Sequence, residues 1–250
     1  MITLEICVDD PASLLTAAQN GADRIELCSA LSLGGLTPSA GLMQLAATLP
    51  LPVMAMIRPR AGDFIWIQAE IDTQLADIAT ARAHNLAGVV IGASLPDGSL
   101  DAATLTQLVA AAKGLDITLH RAIDLTPDPV AALRICAALG ISRVLSSGGA
   151  TTAQDGLPRL TAMQAAATGV AIMPGGGITA ANVARMDRHL HLTDVHASGS
   201  APASAHPDPR LAAFGFQPAQ ARVTDAGHIR ALRAALDQLA GAATRGCTSS

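Results

Sequence analysis

The chain has 250 residues, 50% of them apolar, a net charge of -4 and 4 cysteines. That length suits one large α/β domain or two small ones, and no apolar run approaches the ~18 residues of a membrane helix. The 16 basic residues form no stripe that would suit nucleic acid. The N-terminus carries no basic, signal-like apolar stretch, and the cysteines at 7, 28, 136 and 247 make no CxxC pair. A reduced, cytoplasmic setting is therefore expected.

Taken in chain order, short aliphatic runs near 2–8, 23–28, 52–58, 87–92, 116–121, 142–147, 169–174 and 193–198 read as strands. Helical patterns lie between them, near 11–20, 38–48, 68–84, 101–113, 128–139, 154–167, 180–188 and 225–240. Asp10-Pro11, Thr37-Pro38 and Asp128-Pro129 each place a capping residue before a proline at the first helical position. Eight βα alternations predict a single α/β domain over 1–250, a (β/α)8 TIM barrel, with a doubly wound open sheet as the alternative. The Ala-, Pro- and Ser-rich run at 198–221 reads as a long loop over the barrel mouth, and the tail at 241–250 as disordered.

Barrel strands alternate between interior and helix layer, and their C-terminal ends form the functional face. Glu5 pointing inward brings Cys7 with it, and Glu26 brings Arg24 and Cys28. Two neighbouring strands then each carry a carboxylate and a thiol to the mouth, where paired thiolates select copper(I) or zinc. The competing reading is that both cysteines are small buried hydrophobes. The glutamates need partners, since an unpaired buried charge is costly.

Later strand ends supply them. "MIRPR" contributes Arg58 and Arg60, "TLHRAID" contributes His120, Arg121 and Asp124, and "VHASG" contributes His196. These read as a polar active site with Glu5 and Glu26, or as a structural ion-pair network. Glycine-rich turns add candidate anion sites: Ser147 and Gly148 in "SSGG", Gly175, Gly176 and Gly177 in "MPGGGIT" before a helix capped by Thr179, and Ser198 after strand eight. Tight-turn geometry is the plainer account of such glycines. His189 and His191 precede strand eight and Lys113, the only lysine, precedes strand five, so all three fall at the opposite end of the barrel.

The runs "NGADRIELCSALSLGGLTPSAGL" and "MIRPRAGDF", followed in order by "TLHRAID", "RVLSSGG", "IMPGGGI" and "VHAS", strongly resemble the copper homeostasis protein CutC family. The resemblance spans nearly the whole chain. It implies a cytoplasmic (β/α)8 barrel, often homo-oligomeric, with a role in copper handling and copper(I) ligands at Cys7 and Cys28. The chain departs from the family pattern at Leu33, where an acidic residue is usual, and at Trp66 and Ile67, where tyrosine and serine are common.

Three functions follow as expectations. The first is copper(I) binding through Cys7 and Cys28. The second is an enzyme acting on a small anionic, phosphorylated or sugar-like compound, with Glu5, Glu26, His120 and Asp124 as acid/base groups or hard-metal ligands and Arg58 and Arg121 holding the anion. The third is an assembly scaffold.

Overall fold

The computed structural model describes residues 1–166, 169–204, 208–218 and 220–247. Eight parallel strands form a nearly closed barrel: β1 (Thr3–Val8), β2 (Arg24–Leu27), β3 (Val53–Met56), β4 (Gly88–Ile91), β5 (Asp116–Leu119), β6 (Arg143–Ser146), β7 (Ala171–Pro174) and β8 (Asp194–Ala197). Ladders run in order from β7 down to β1 and on to β8. The remaining seam, between β7 and β8, is closed by packing of the two strands side by side. The helices are α1 (Pro11–Gln19), α2 (Ala40–Ala46), α3 (Gln68–Ala83), α4 (Ala102–Ala111), α5 (Pro129–Ala138), α6 (Leu157–Ala166), α7 (Val183–Leu190), α8 (Arg210–Ala213) and α9 (Ala226–Cys247).

Local chemistry explains several starts. The Asp10 and Asp128 carboxylates each accept two backbone N–H bonds ahead of a proline at the first position of α1 and α5. Thr37-Pro38 behaves differently. The cap of α2 is Ser39, and Thr37 instead accepts the Arg58 N–H at 3.0 Å, tying the loop after β2 to the end of β3. Thr179 does not cap α7 with its side chain either. Residues 179–182 form a turn closed by Thr179 N–H bonding Asn182 Oδ1 at 2.9 Å, and the helix begins at Val183.

One C-terminal expectation is corrected. The 198–221 segment is not a plain loop, because β9 (Ser200–Pro202) pairs antiparallel with β10 (Arg222–Thr224), and α8 lies between them. Residues 205–207 and 219 lie outside the described residues. In the tail, α9 runs to Cys247, and 248–250 lie outside the described residues.

The outward strand residues Leu4, Ile6, Val8, Ile25, Leu27 and Ile57 are fully buried against the helices. At the apolar coefficient of about 25 cal/mol per Å², such a shared layer is the dominant stabilising term. The interior divides in two. Beneath β2, β3 and β4 it is apolar, with Cys28, Met54, Met56 and Val90 packed together. Beneath β1, β5, β6, β8 and the start of β2 it is ionic. Arg24 bridges Glu5 at 2.6 Å and Asp194 at 2.8 Å, and Arg143 bridges Asp194 at 3.4 Å and Asp116 at 3.0 Å. Among the described residues, no helix is long and apolar enough to cross a membrane.

Candidate functional site

Strand register decides which side chains meet at the mouth. β1 pairs with β2 so that Cys7 lies opposite Glu26, and with β8 so that Glu5 lies opposite His196. The outcome is a cluster of Cys7, Glu26 and His196, whose ligand-type atoms all lie within 4.8 Å of one another. Cys28 is not its fourth member. It sits one alternation further along β2, fully buried among methionines, with its thiol 3.6 Å from Glu26 Oε2. The expectation that the two thiols arrive side by side overlooked this stagger.

Glu5 lies beneath the cluster, fully buried. Its Oε2 meets Arg24, and its Oε1 accepts from His196 Nδ1 at 2.8 Å. Burial raises its pKa, but the His196 hydrogen bond and the His196 and Arg24 charges outweigh it and hold the carboxyl at about 2. His196 moves the other way. Burial opposes its charged form, yet Glu26, Cys7 and Glu5 together lift its pKa well above the ordinary histidine value. Its Nδ1–H is therefore committed to Glu5, and Nε2 faces Glu26 Oε2 at 3.9 Å. Burial, reinforced by the Glu5 charge, raises the Glu26 carboxyl despite His196. Glu26 Oε1 is buried without a hydrogen-bond partner.

His120 forms the opposite wall. It caps the 3-10 turn Arg121–Leu125, where its Nδ1 accepts the Ala122 N–H at 3.1 Å. An Nδ1 that accepts leaves the proton on Nε2. Burial and the nearby Arg58 charge push its pKa down to about 3, so the ring is neutral and Nε2–H is a fixed donor. That Nε2 is buried and unpartnered. The ring is seated by Phe64, with centroids 4.6 Å apart, and by Gly92, where a Cβ would fall 2.1 Å from the ring. Trp66 holds that backbone in place by donating its indole N–H to Gly92 O at 2.8 Å. Trp66 thus supports His120 indirectly, through the Gly92 backbone. Sequence reasoning gave Phe64 no role; its signals were its place at the end of "MIRPRAGDF" and its being one of 3 Phe in a chain with no Tyr.

The remaining candidates divide. Arg58 lines the mouth; its Nη1 and Nη2 donate to the carbonyls of Leu33, Gly35 and Gly62 and so fasten loops, while its buried Nε has no hydrogen-bond partner among the described residues. The backbone of Leu33 is what the site uses, while its side chain is exposed; Ile67 is exposed as well. Asp124 turns away from the cluster into the β6 turn. There it accepts from Ser146 Oγ at 2.6 Å, from the Ser147 and Gly149 amides at 3.1 Å, and from Arg121 Nε at 2.8 Å. Burial raises its pKa, but these bonds bring it below the usual range. The "SSGG" turn is thus an anion nest already filled by the protein's own carboxylate. Gly148 serves close packing, since a Cβ there would fall 2.2 Å from Gly156 O. Gly175 likewise bonds Ser146 O in the ladder and clears Leu145 and His196.

Gly176, Gly177 and Ser198 do reach the site. With Cys7, Glu26, His120, Arg121 and His196 they line one cleft of about 260 Å³. Among the described residues, their amides bond no protein acceptor. Gly177 and Ser198 also border an adjoining cleft of about 370 Å³ that contains Arg222 and His228.

The fold and this mouth define a (β/α)8 barrel with a thiol, an imidazole and a carboxylate converging at the functional end. The sequence profile of the CutC family matches residues 2–201, and the chain belongs to that family. It is 52% identical over 240 residues to a CutC family protein of Sinorhizobium medicae, covering 96% of this chain and 98% of that one. It is 43% identical over 197 residues to the human copper homeostasis protein cutC homolog, covering 78% and 72%. The solved copper homeostasis protein CutC of Streptococcus agalactiae superposes with a TM-score of 0.76 at 28% identity, over 79% of this chain and 99% of that one. Phosphoribosylanthranilate isomerase of Thermotoga maritima, at 11% identity and a TM-score of 0.58, shares the fold alone.

Proposed function

We propose that this protein is a cytoplasmic copper-homeostasis protein that holds copper(I) at the barrel mouth, with Cys7 as the principal ligand. The family names point to copper. The single observation that carries the assignment to this site is the convergence of Cys7, His196 and Glu26 within 4.8 Å. A thiolate and an imidazole are donors that copper(I) selects, whereas Glu26 is a harder donor that also suits zinc. The residues fit a metal in two further respects. Glu5 orients His196 through Nδ1, which is the outer-sphere arrangement that metal-binding histidines use. Glu26 Oε1 is a buried acceptor still lacking a partner. His196 gives up its Nε2 proton on metal entry, so binding releases acid.

Cys28 is the weaker ligand in this reading. Burial and the Glu26 charge push its thiol pKa well upward, and, unlike Cys7, it does not line the cleft. Copper(I) titration under anaerobic conditions against a competing chelator tests the ranking. Cys7→Ser abolishes tight binding, and Cys28→Ser weakens it less. Equal losses, or no loss, overturn the assignment. As in the family expectation, the protein is proposed to assemble as a homo-oligomer, read by light scattering.

A second reading is an enzyme acting on a small anionic compound. The fixed, unpartnered Nε2–H of His120 on the wall facing the metal-type cluster supports it. Loss of turnover in His120→Asn with copper affinity retained would separate the two readings, once a turnover assay exists.

A further inference from the structure

The cleft that the metal-type cluster lines also holds hydrogen-bond donors outside that cluster. On one wall, the amides of Gly176, Gly177 and Ser198 bond nothing among the described residues. Arg121 lines the same cleft, and its Nη1 is without a partner there, since Nε and Nη2 serve Asp124, Ser147 and the Ala150 carbonyl. Three amides and a guanidinium nitrogen supply the several donors that a phosphate's peripheral oxygens accept. Two further lining side chains, each only 3% exposed, carry an unpartnered atom, His120 on the wall opposite Glu26. His120 Nε2–H can only donate, and Glu26 Oε1, when ionised, can only accept. Together they read a ligand that offers both an acceptor oxygen and a hydroxyl donor. The β6 turn is no rival phosphate site, because Asp124 fills it.

We propose that this cleft binds a small hydroxylated phosphomonoester, its phosphate on the Gly176–Gly177–Ser198 amides and Arg121, and its oxygenated carbon body between His120 Nε2 and Glu26 Oε1. The volume of about 260 Å³ lies below that of drug-sized pockets, which limits the body to a few carbons. The proposal deepens the second reading above, from which it takes the cleft, and it does not depend on copper.

The test is a titration of metal-free, isotope-labelled protein followed by NMR. Glycerol 3-phosphate, inorganic phosphate, glycerol and sodium chloride at matched ionic strength are the probes. Glycerol 3-phosphate shifts the Gly176, Gly177 and Ser198 amides and the His120 Nε2–H saturably. Inorganic phosphate shifts the amides alone, and glycerol or chloride moves neither. His120→Asn keeps an acceptor for the Ala122 N–H; it weakens glycerol 3-phosphate about tenfold, the worth of one hydrogen bond, and leaves inorganic phosphate unchanged. Inorganic phosphate binding thereby controls for folding of the variant. Absence of saturable amide shifts, equal shifts with chloride, or equal weakening of both anions overturns the proposal. The titration reads binding alone, so a separate finding that the bound ligand is not turned over would count against the enzyme reading and leave this one standing.

Discussion

His196 Nδ1 lies 2.8 Å from Glu5 Oε1, a contact between β8 and β1 that joins the barrel's buried ion network to its mouth. Glu5 also meets Arg24, which meets Asp194, so the orientation of one site residue depends on three charges beneath it.

Glu5→Gln preserves the shape but removes the charge that Arg24 and His196 share. Breaking one partner of a buried ion pair costs about 3–5 kcal/mol, and loosening the outer-sphere orienter of a metal ligand costs about 10–100-fold in affinity. Urea unfolding and copper(I) titration of the same variant should show both losses. Unchanged copper affinity in a destabilised protein would mean that Glu5 serves the barrel alone.

His120 makes stability depend on pH. Its folded pKa of about 3 lies below the ordinary 6.5, so the unfolded chain takes up the proton first as pH falls. Its contribution is fully present above pH 6.5 and is lost progressively down to about pH 3, a few kcal/mol in all. Denaturant melts at pH 7 and pH 4.5 should show wild type losing stability relative to His120→Asn. Parallel losses in the two proteins would remove His120 as the cause.

Barrel and strand count were legible in the sequence because the αβ rhythm is written locally, in aliphatic runs and in caps such as Asp10 and Asp128. The inward direction of Glu5, Cys7 and Glu26 was equally readable, since it needs only the two-residue period of a strand. The stagger between β1 and β2 was not, because it is set by long-range pairing; that is why Cys28 was placed beside Cys7. Asp124 was misplaced for a related reason. A carboxylate just after a strand end reads as catalytic until the turn from β6, 22 residues away in sequence, is seen to close around it. The β9–β10 pairing was hidden by the Pro and Ser content of its first strand.

That turn yields a prediction of its own. Asp124→Ala leaves the Ser147 and Gly149 amides without their acceptor, at a cost of about 2 kcal/mol. An external oxyanion should replace the lost carboxylate in part. Thermal melts in added phosphate should therefore raise the variant's Tm more than that of wild type, and an equal rise in both would refute the nest.

Two glycines should respond oppositely. Gly92→Ala drives a methyl into the His120 ring, an overpacking expected to cost about 1–3 kcal/mol. Gly41 lies in α2 with nothing within 4 Å of an added Cβ, so Gly41→Ala should stabilise by about 0.5–1 kcal/mol. Paired denaturant melts check the signs.

The most direct test of the central claim is the anaerobic copper(I) titration of wild type, Cys7→Ser and Cys28→Ser against a competing chelator. The account predicts one tight site per chain in wild type, none in Cys7→Ser, and a weakened but present site in Cys28→Ser. Tight binding that survives the loss of Cys7 would contradict it.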